Sequence, residues 1–441
     1  MHSRPTRLAL AAVAALAAAG LGAPALISPA TAGPSQVATA KPGTPTEVRF
    51  ATFNASLNRF NEGQLVKDLS APGNAQAAGA AETIQRADAD VILVNEFDYE
   101  PDGEAAELFR DNYLEVGQNG AAPVDYPYYY VAPSNTGIPS GFDLNNNGVV
   151  GAPGTQAGGD DSLGFGYFPG QYGMVVYSKY PIATDEVRIF QHFLWKDMPG
   201  ALLPDDPAIP GKADWYSPEE LEVFRLSSKS HWDVPIKLPG RKPVHFLVSH
   251  PTPPTFDGDE DRNGLRNHDE IRFWADYVTG GSAASYIYDD DGGTGGLGRG
   301  QDFVIAGDQN ADPFDGDSYD DAILQLLDHP RIQDPAPTAP GGIEAAARDG
   351  QENIAHVGPD AQDTADFADA FPAKPTDPRN PGNLRVDYVL PSERLAIRDT
   401  GVFWPTSADP LFDRLIGVYP FPVTDHRLVW LDLGVGRTHG R

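Results

Sequence analysis

The sequence predicts an α+β fold in which buried strands deliver polar side chains to their ends. Three observations predict it. Short apolar runs recur along the chain, and each stops abruptly on Asn, Asp, Glu or His. Stretches at helical spacing separate some of these runs, and long tracts rich in Gly, Pro, Asn and Asp separate others.

The clearest run is Phe303-Val304-Ile305-Ala306-Gly307-Asp308-Gln309-Asn310. Strand side chains alternate faces, so Asp308 and Asn310 point the same way and can converge on one metal ion, phosphate or water. Gly307 admits a close approach of backbone or ligand. Taken alone, the stretch is read more simply as a strand closed by an Asx turn.

Composition narrows the class. The 441 residues are 41% hydrophobic, enough for a large core. Arg4 and Arg7 precede an apolar run from Leu8 to about Leu21, and Ala30-Thr31-Ala32 supplies a small-residue cleavage pattern. Residues 1–32 therefore read as a secretory signal peptide, residues 33–46 as a disordered linker and residues 47–436 as one folded domain, exported and monomeric. No later run is long and apolar enough to span a membrane. Zero cysteines in an exported chain remove disulfides and make structural cation sites more plausible. The net charge of −30 repels polyanions and disfavours a broad nucleic-acid-binding surface, although a cation-filled cleft would still accept a phosphate.

In chain order, Val48 to Asn54 alternates as a half-buried strand and ends on Asn54. A helical stretch from about Gly79 to Ala87 leads to Asp90–Glu96, an apolar run typical of a strand covered on both faces. Residues 126–170 read as a long ordered loop, and Met174–Ser178 as another strand. Leu226–Ile236 carries Lys229 and His231 on what reads as a wet, functional face; packing of His231 against Trp232 is the plainer alternative. Pro243–His250 is an apolar strand ending on His250, Arg385–Leu390 a strand carrying Asp387 inward, and the last strands surround Thr424-Asp425-His426.

Asp259 to Glu270 matches the calcium-loop pattern D-x-[DN]-x-[DN]-G-x5-E. Asp259, Asp261 and Asn263 would supply side-chain oxygens, Leu265 a carbonyl and Glu270 a bidentate carboxylate around a structural Ca2+. Arg266 stands where such a loop usually buries an aliphatic residue. An acidic turn capping a helix from about Asp269 to Tyr277 is the alternative.

Five of these pieces occur together and in order: a strand ending in Asn54, a strand ending in Glu96, Gly307-Asp308-Gln309-Asn310, Arg385-Val386-Asp387-Tyr388 and Thr424-Asp425-His426. In this the chain resembles the endonuclease/exonuclease/phosphatase superfamily, over roughly Glu47 to Gly434. The resemblance implies a four-layer DNase I-like sandwich: two mixed β-sheets face to face, helices outside, the site at one end of the sheets. It implies that Glu96 ligates a catalytic Mg2+ (or Mn2+), with Asn54 and Asp425 as ligands or close partners. Asp308 and Asn310 would position and polarise water and a phosphate oxygen. His426, buttressed by Asp387, would contact the scissile phosphate or act as base, and His250 would donate to another phosphoryl oxygen. Lys229 and His231 are the expected extra phosphate contacts. Which of Asp308 and His426 is the base stays open.

The expected activity is metal-dependent phosphoester hydrolysis. A small phosphodiester or monoester, from lipid or inositol phosphate, suits the acidity best. A nuclease of the DNase I type and a calcium-stabilised, non-catalytic binding protein are the other classes.

Overall fold

The structure, a computed structural model, describes residues 47–209, 211, 214–350, 353–367 and 381–434. The expected signal peptide and linker, and the last two residues of the expected domain, lie outside them. In chain order the strands are β1 (Glu47–Leu57), β2 (Val91–Phe97), β3 (Tyr128–Tyr130), β4 (Met174–Ser178), β5 (Arg188–Ile189), β6 (His231–Ile236) and β7 (Val244–Ser249). They continue with β8 (Asp302–Asp308), β9 (Ala365–Asp366), β10 (Asn383–Leu384), β11 (Asp387–Pro391), β12 (Ala396–Val402) and β13 (Val429–Gly434).

One sheet has the order β12-β13-β1-β2-β4-β3, a second β11-β8-β7-β6-β5, and β9 pairs with β10 in a small ribbon. Both large sheets are mixed: β1 runs parallel to β2 and β7 parallel to β8, while their other neighbours are antiparallel.

Alternation along the strands sorts the core into layers. Phe50, Leu93 and Val176 of the first sheet meet Val234, Phe246, Val248, Val304 and Val389 of the second in one buried cluster between the sheets. The opposite-parity residues Ala51, Phe53, Ile92 and Val94 pack outward under the helix Ala75–Ala87, which buries Ala77, Ala80, Ala81 and Ile84. On the other side Leu247, Phe303 and Ile305 pack under the helix Arg262–Thr279 through Ile271, Trp274 and Val278. Each such fully buried large side chain contributes roughly 1.5–3 kcal/mol. The result is the expected four-layer α/β sandwich.

Both helices begin earlier than their spacing predicts. Asn74 caps the first, its Oδ1 accepting from the Ala77 amide at 3.0 Å. Residues 126–170 are not all loop: they hold β3 and a short helix, Gln156–Asp160. Tyr126 is buried, with its hydroxyl donating to the Ala89 carbonyl, and β3 lies on the sheet edge beside β4.

Candidate active site

Strand parity brings the predicted residues together. In β8 Val304 and Ala306 face the other sheet, so Asp308 does too; in β11 Val389 faces inward, and with it Asp387. Asp387 stands directly opposite Asp308 in the β11–β8 register. His250, two residues past Val248, carries the inward parity beyond the end of β7. Across the gap, Asn54 on β1 donates from Nδ2 to Asp308 Oδ2 at 3.1 Å and to Glu96 Oε1 at 3.2 Å. The site thus sits between the two sheets at one end of the sandwich.

Glu96 reaches this cluster by breaking alternation. Val94 and Phe97 both pack on the helix side of the sheet, and the residue that absorbs the mismatch is Glu96, with φ +56°. A non-glycine residue in the left-handed region is strained, and such strain concentrates at functional sites. Gly307 (φ +148°) is required for a different reason: a Cβ there would overlap the Ser249 carbonyl of the neighbouring strand β7.

His426 occupies the centre. Its Nδ1 lies 2.9 Å from Asp387 Oδ2 and its Nε2 3.6 Å from Asp308 Oδ2 and 4.0 Å from Asp425 Oδ1. Thr364 donates its hydroxyl to the same Asp387 oxygen at 2.9 Å and accepts from the Val386 and Asp387 amides. The Phe367 ring packs edge-on against the imidazole. Burial works against a charged His426, but the Asp387 and Asp308 carboxylates outweigh it and raise its pKa to about 10. Burial, opposed by His426 and reinforced by Asp387, raises Asp308 to about 6. Burial also raises Glu96, with Asp425 and Asp308 adding to it and His426 and Asn54 opposing.

His250 Nε2 is 3.4 Å from Asp308 Oδ2, and its buried Nδ1 makes no hydrogen bond within the described residues. Burial, then Lys229 and His426, push its pKa well below the usual histidine value, so the ring is neutral. Lys229 is itself buried, its Nζ 3.4 Å from the Pro251 carbonyl, and burial lowers its pKa against the opposing pull of the Glu270, Glu96 and Asp308 carboxylates. Asn310 adopts φ +53°; its amide donates to Asp308 Oδ1, and its Nδ2 donates to Pro251 O at 3.1 Å. Asp308, Asp387 and His426 form a group whose ligand atoms lie within 4.8 Å of one another.

Two expectations are corrected. His231 does not join the site. In β6, Trp232, Val234 and Ile236 fill the space between the sheets, which turns His231 outward against Phe273 and Trp274. Both its ring nitrogens are engaged, Nδ1 with the Ser227 hydroxyl and Nε2 with the Glu270 carbonyl. All six residues of β6 are buried, so the strand has no wet face.

Nor are Asp259, Asp261, Asn263, Leu265 and Glu270 wrapped into a calcium loop. The helix already starts at Arg262, so Asn263, Leu265 and Glu270 lie on it rather than in a loop. Asn263 bonds to Asp257 and Thr255, and Glu270 is fully buried, accepting from the Ser228 and Thr252 amides at 2.7 and 2.6 Å. Glu270 therefore anchors the segments that carry Lys229 and His250. Arg266 is buried too, donating to the carbonyls of Leu226, Leu163 and Arg225.

Three participants carry little signal in the sequence. Thr364 lies beside a two-residue strand, too short to show a period. Asn95 ties the sheets together, its Oδ1 near the Asp308 amide and its Nδ2 near the Ser249 carbonyl, each at 3.4 Å. Asp98 accepts from the Arg59 and Tyr172 amides and so joins two loops beside Glu96.

No curated protein matches the chain. Solved structures that it resembles include an endonuclease/exonuclease/phosphatase from Beutenbergia cavernae, at 16% identity, 88% of this chain, 72% of that one and a TM-score of 0.45. A mannosyl-6-phosphatase of Bacteroides thetaiotaomicron matches at 12% identity, 88% and 99% coverage and a TM-score of 0.39. A beta toxin of Staphylococcus aureus matches at 13%, 87% and 99%, with a TM-score of 0.41. The family model for the Endonuclease/Exonuclease/phosphatase family matches residues 51–426, from β1 to the histidine at the centre of the site. The chain accordingly belongs to that family, whose members are hydrolases acting on phosphate esters.

Proposed function

We propose that this protein is an exported, divalent-metal-dependent phosphoesterase that cleaves phosphate ester bonds by in-line attack of water. The observation that carries the reading is His426 held between Asp387 and Asp308, with Asn54 and Glu96 facing them from the other sheet.

The donor set fits Mg2+ or Mn2+. Glu96 and Asp425 offer carboxylate oxygens, the hard ligands such ions take, and Asn54, which turns its Nδ2 to Glu96 and Asp308 and its Oδ1 to the Ser56 amide, would present its oxygen to an ion by rotating its amide. Burial raises Glu96, which is the cost of an ionised carboxylate recessed without a cation, and a cation would remove that cost. We assign Glu96 as the main ligand, with Asn54 and Asp425 beside it. When bound, the ion neutralises charge on the phosphoryl group and so weakens its repulsion of the nucleophile.

The remaining roles follow from protonation. His426 stays an imidazolium at neutral pH and is therefore a hydrogen-bond donor to a phosphoryl oxygen, held in orientation by Asp387 and Thr364. Asp308, raised to about 6, is ionised at neutral pH yet basic enough to take a proton from the attacking water. Asn310 fixes Asp308 through its amide, neutral His250 donates from Nε2, and Lys229, whose charge burial opposes and the Glu270, Glu96 and Asp308 carboxylates favour, is the cation assigned to the phosphate.

The charge of −30 favours a compact diester or monoester over a long polyanion. Residues 1–32 support export. The test is hydrolysis of bis-p-nitrophenyl phosphate, p-nitrophenyl phosphate and plasmid DNA in EDTA and after restoring Mg2+ or Ca2+. Metal-restored turnover of a small ester, exceeding cleavage of DNA, is expected. Silence on all three, with an Asp308→Ala control equally silent, counts against the reading.

A further inference from the structure

A row of aromatic rings leads from the catalytic cluster to solvent. Tyr172, Phe165, Tyr167 and Phe60 form a continuous series with centroid separations of 6.4, 5.7 and 6.0 Å, the last two pairs meeting edge to face. Its inner end lies beside Glu96: the Tyr172 amide donates to Asp98, the Phe97 amide donates to the Gly173 carbonyl, and burial and then the Glu96 carboxylate raise the Tyr172 hydroxyl. Its outer end is open, with Phe60 55% and Phe165 39% exposed. Apolar rings left this exposed beside a polar site call for an occupant.

The row is held in place. Gln171 donates to the Arg59 carbonyl and accepts from the Tyr167 amide, while the Tyr167 hydroxyl donates to Gln156. Its surroundings are acidic. Glu62 and Glu100 interact with each other near the Phe60 loop, and Asp160 accepts from Gln156. Arg59, the cation of the Phe60 loop, is already paired with Asp68 at 2.6 Å, and Arg262, whose field reaches Asp160, is paired with Glu260. A second anionic group is therefore repelled from this strip, whereas an uncharged carbon-rich surface is welcome on the ring faces.

We propose that this strip is the specificity subsite of the enzyme and binds the uncharged, flat organic group esterified to the phosphate, an aromatic ring or the apolar face of a sugar. The inference rests on the phosphoester reading and adds the class of substrate to it. Phosphate sits at the Asp308–His426 cluster, and the organic group lies outward along Tyr172, Phe165, Tyr167 and Phe60.

The test is calorimetric binding of two non-hydrolysable dianions, phenylphosphonate and methylphosphonate, to the full-length protein with Mg2+, and to Phe60→Ala and Phe60→Ala/Phe165→Ala variants. Both side chains are exposed, and unchanged melting temperatures confirm that the variants fold. Phenylphosphonate should bind about fivefold to tenfold more tightly than methylphosphonate. The double variant should lose most of that preference while methylphosphonate affinity stays constant. Equal affinities in the parent, or a preference that survives both substitutions, overturns the subsite. Binding of neither phosphonate overturns the phosphoester reading beneath it. Sedimentation with neutral phosphatidylcholine vesicles that depends on Phe60 and Phe165, without a phenyl preference, assigns the strip to a lipid surface and also overturns the proposal.

Discussion

Asp387 stands opposite Asp308 across the β11–β8 pairing, and His426 spans them, its Nδ1 2.9 Å from one carboxylate and its Nε2 3.6 Å from the other. Two buried carboxylates this close repel unless a cation sits between them, and the imidazolium is that cation. The relationship sets the protonation of the whole site, because it keeps His426 charged while Asp308 titrates in the range where a base is useful.

Removing one partner therefore exposes the pair. Asp387→Asn keeps the shape but not the charge, so the His426 pKa should fall and the ring should lose its fixed orientation. Turnover should drop by about 100-fold or more. Steady-state kinetics, with an NMR titration of His426, checks both; an unchanged His426 pKa would contradict the assignment.

Lys229 and His231 are two residues apart and should behave oppositely. Lys229→Met removes positive charge from the site and should lower kcat/KM by about tenfold or more, with little change in melting temperature. His231→Phe leaves the Glu270 carbonyl and Ser227 hydroxyl unpaired, so it should cost about 1–3 kcal/mol of stability while folded enzyme keeps its KM. Kinetics and thermal melts on both variants separate the roles.

Gly307→Ala places a methyl group against the Ser249 carbonyl at a φ of +148°. Accommodation requires β7 and β8 to move apart just before His250 and Asp308. A loss of at least about 3 kcal/mol is expected in denaturant melts, with turnover falling further than stability accounts for.

Asp363, next to Thr364, supplies the pH dependence. Burial, then the Asp312, Asp360 and Asp315 carboxylates, raise its pKa to about 8. A carboxyl raised on folding favours the folded state fully only below its unfolded pKa near 3.9, and that contribution is lost as pH rises through about 8. Asp363→Asn mimics the protonated form. Its melting temperature relative to the parent should therefore climb between pH 5 and pH 8.5, and a difference independent of pH would refute burial and carboxylate crowding as the cause.

Much of this site was legible in the sequence, for a physical reason. A strand buried on both faces is an apolar run, and where it leaves the core its next inward position is polar; Asn54, Asp308 and Asp387 announce themselves that way. Glu96 ends its apolar run in the sequence as well, but simple alternation would aim it at the helix layer, and only its positive φ brings it inward. Thr364 was hidden because β9 is two residues long. The calcium pattern failed because spacing does not reveal where a helix starts: beginning at Arg262, the helix carries Glu270 to the Ser228 and Thr252 amides. His231 failed because Trp232, not its neighbour, took the inner face of β6.

The most direct test of the proposed chemistry is the metal-dependent rate of bis-p-nitrophenyl and p-nitrophenyl phosphate hydrolysis by the parent protein and by Glu96→Gln and Asp308→Asn. Turnover should be abolished by EDTA, restored by Mg2+ or Mn2+, and lowered by about 100-fold or more in each variant while both variants still melt cooperatively. Undiminished turnover in Asp308→Asn, or hydrolysis that persists in EDTA, would contradict it.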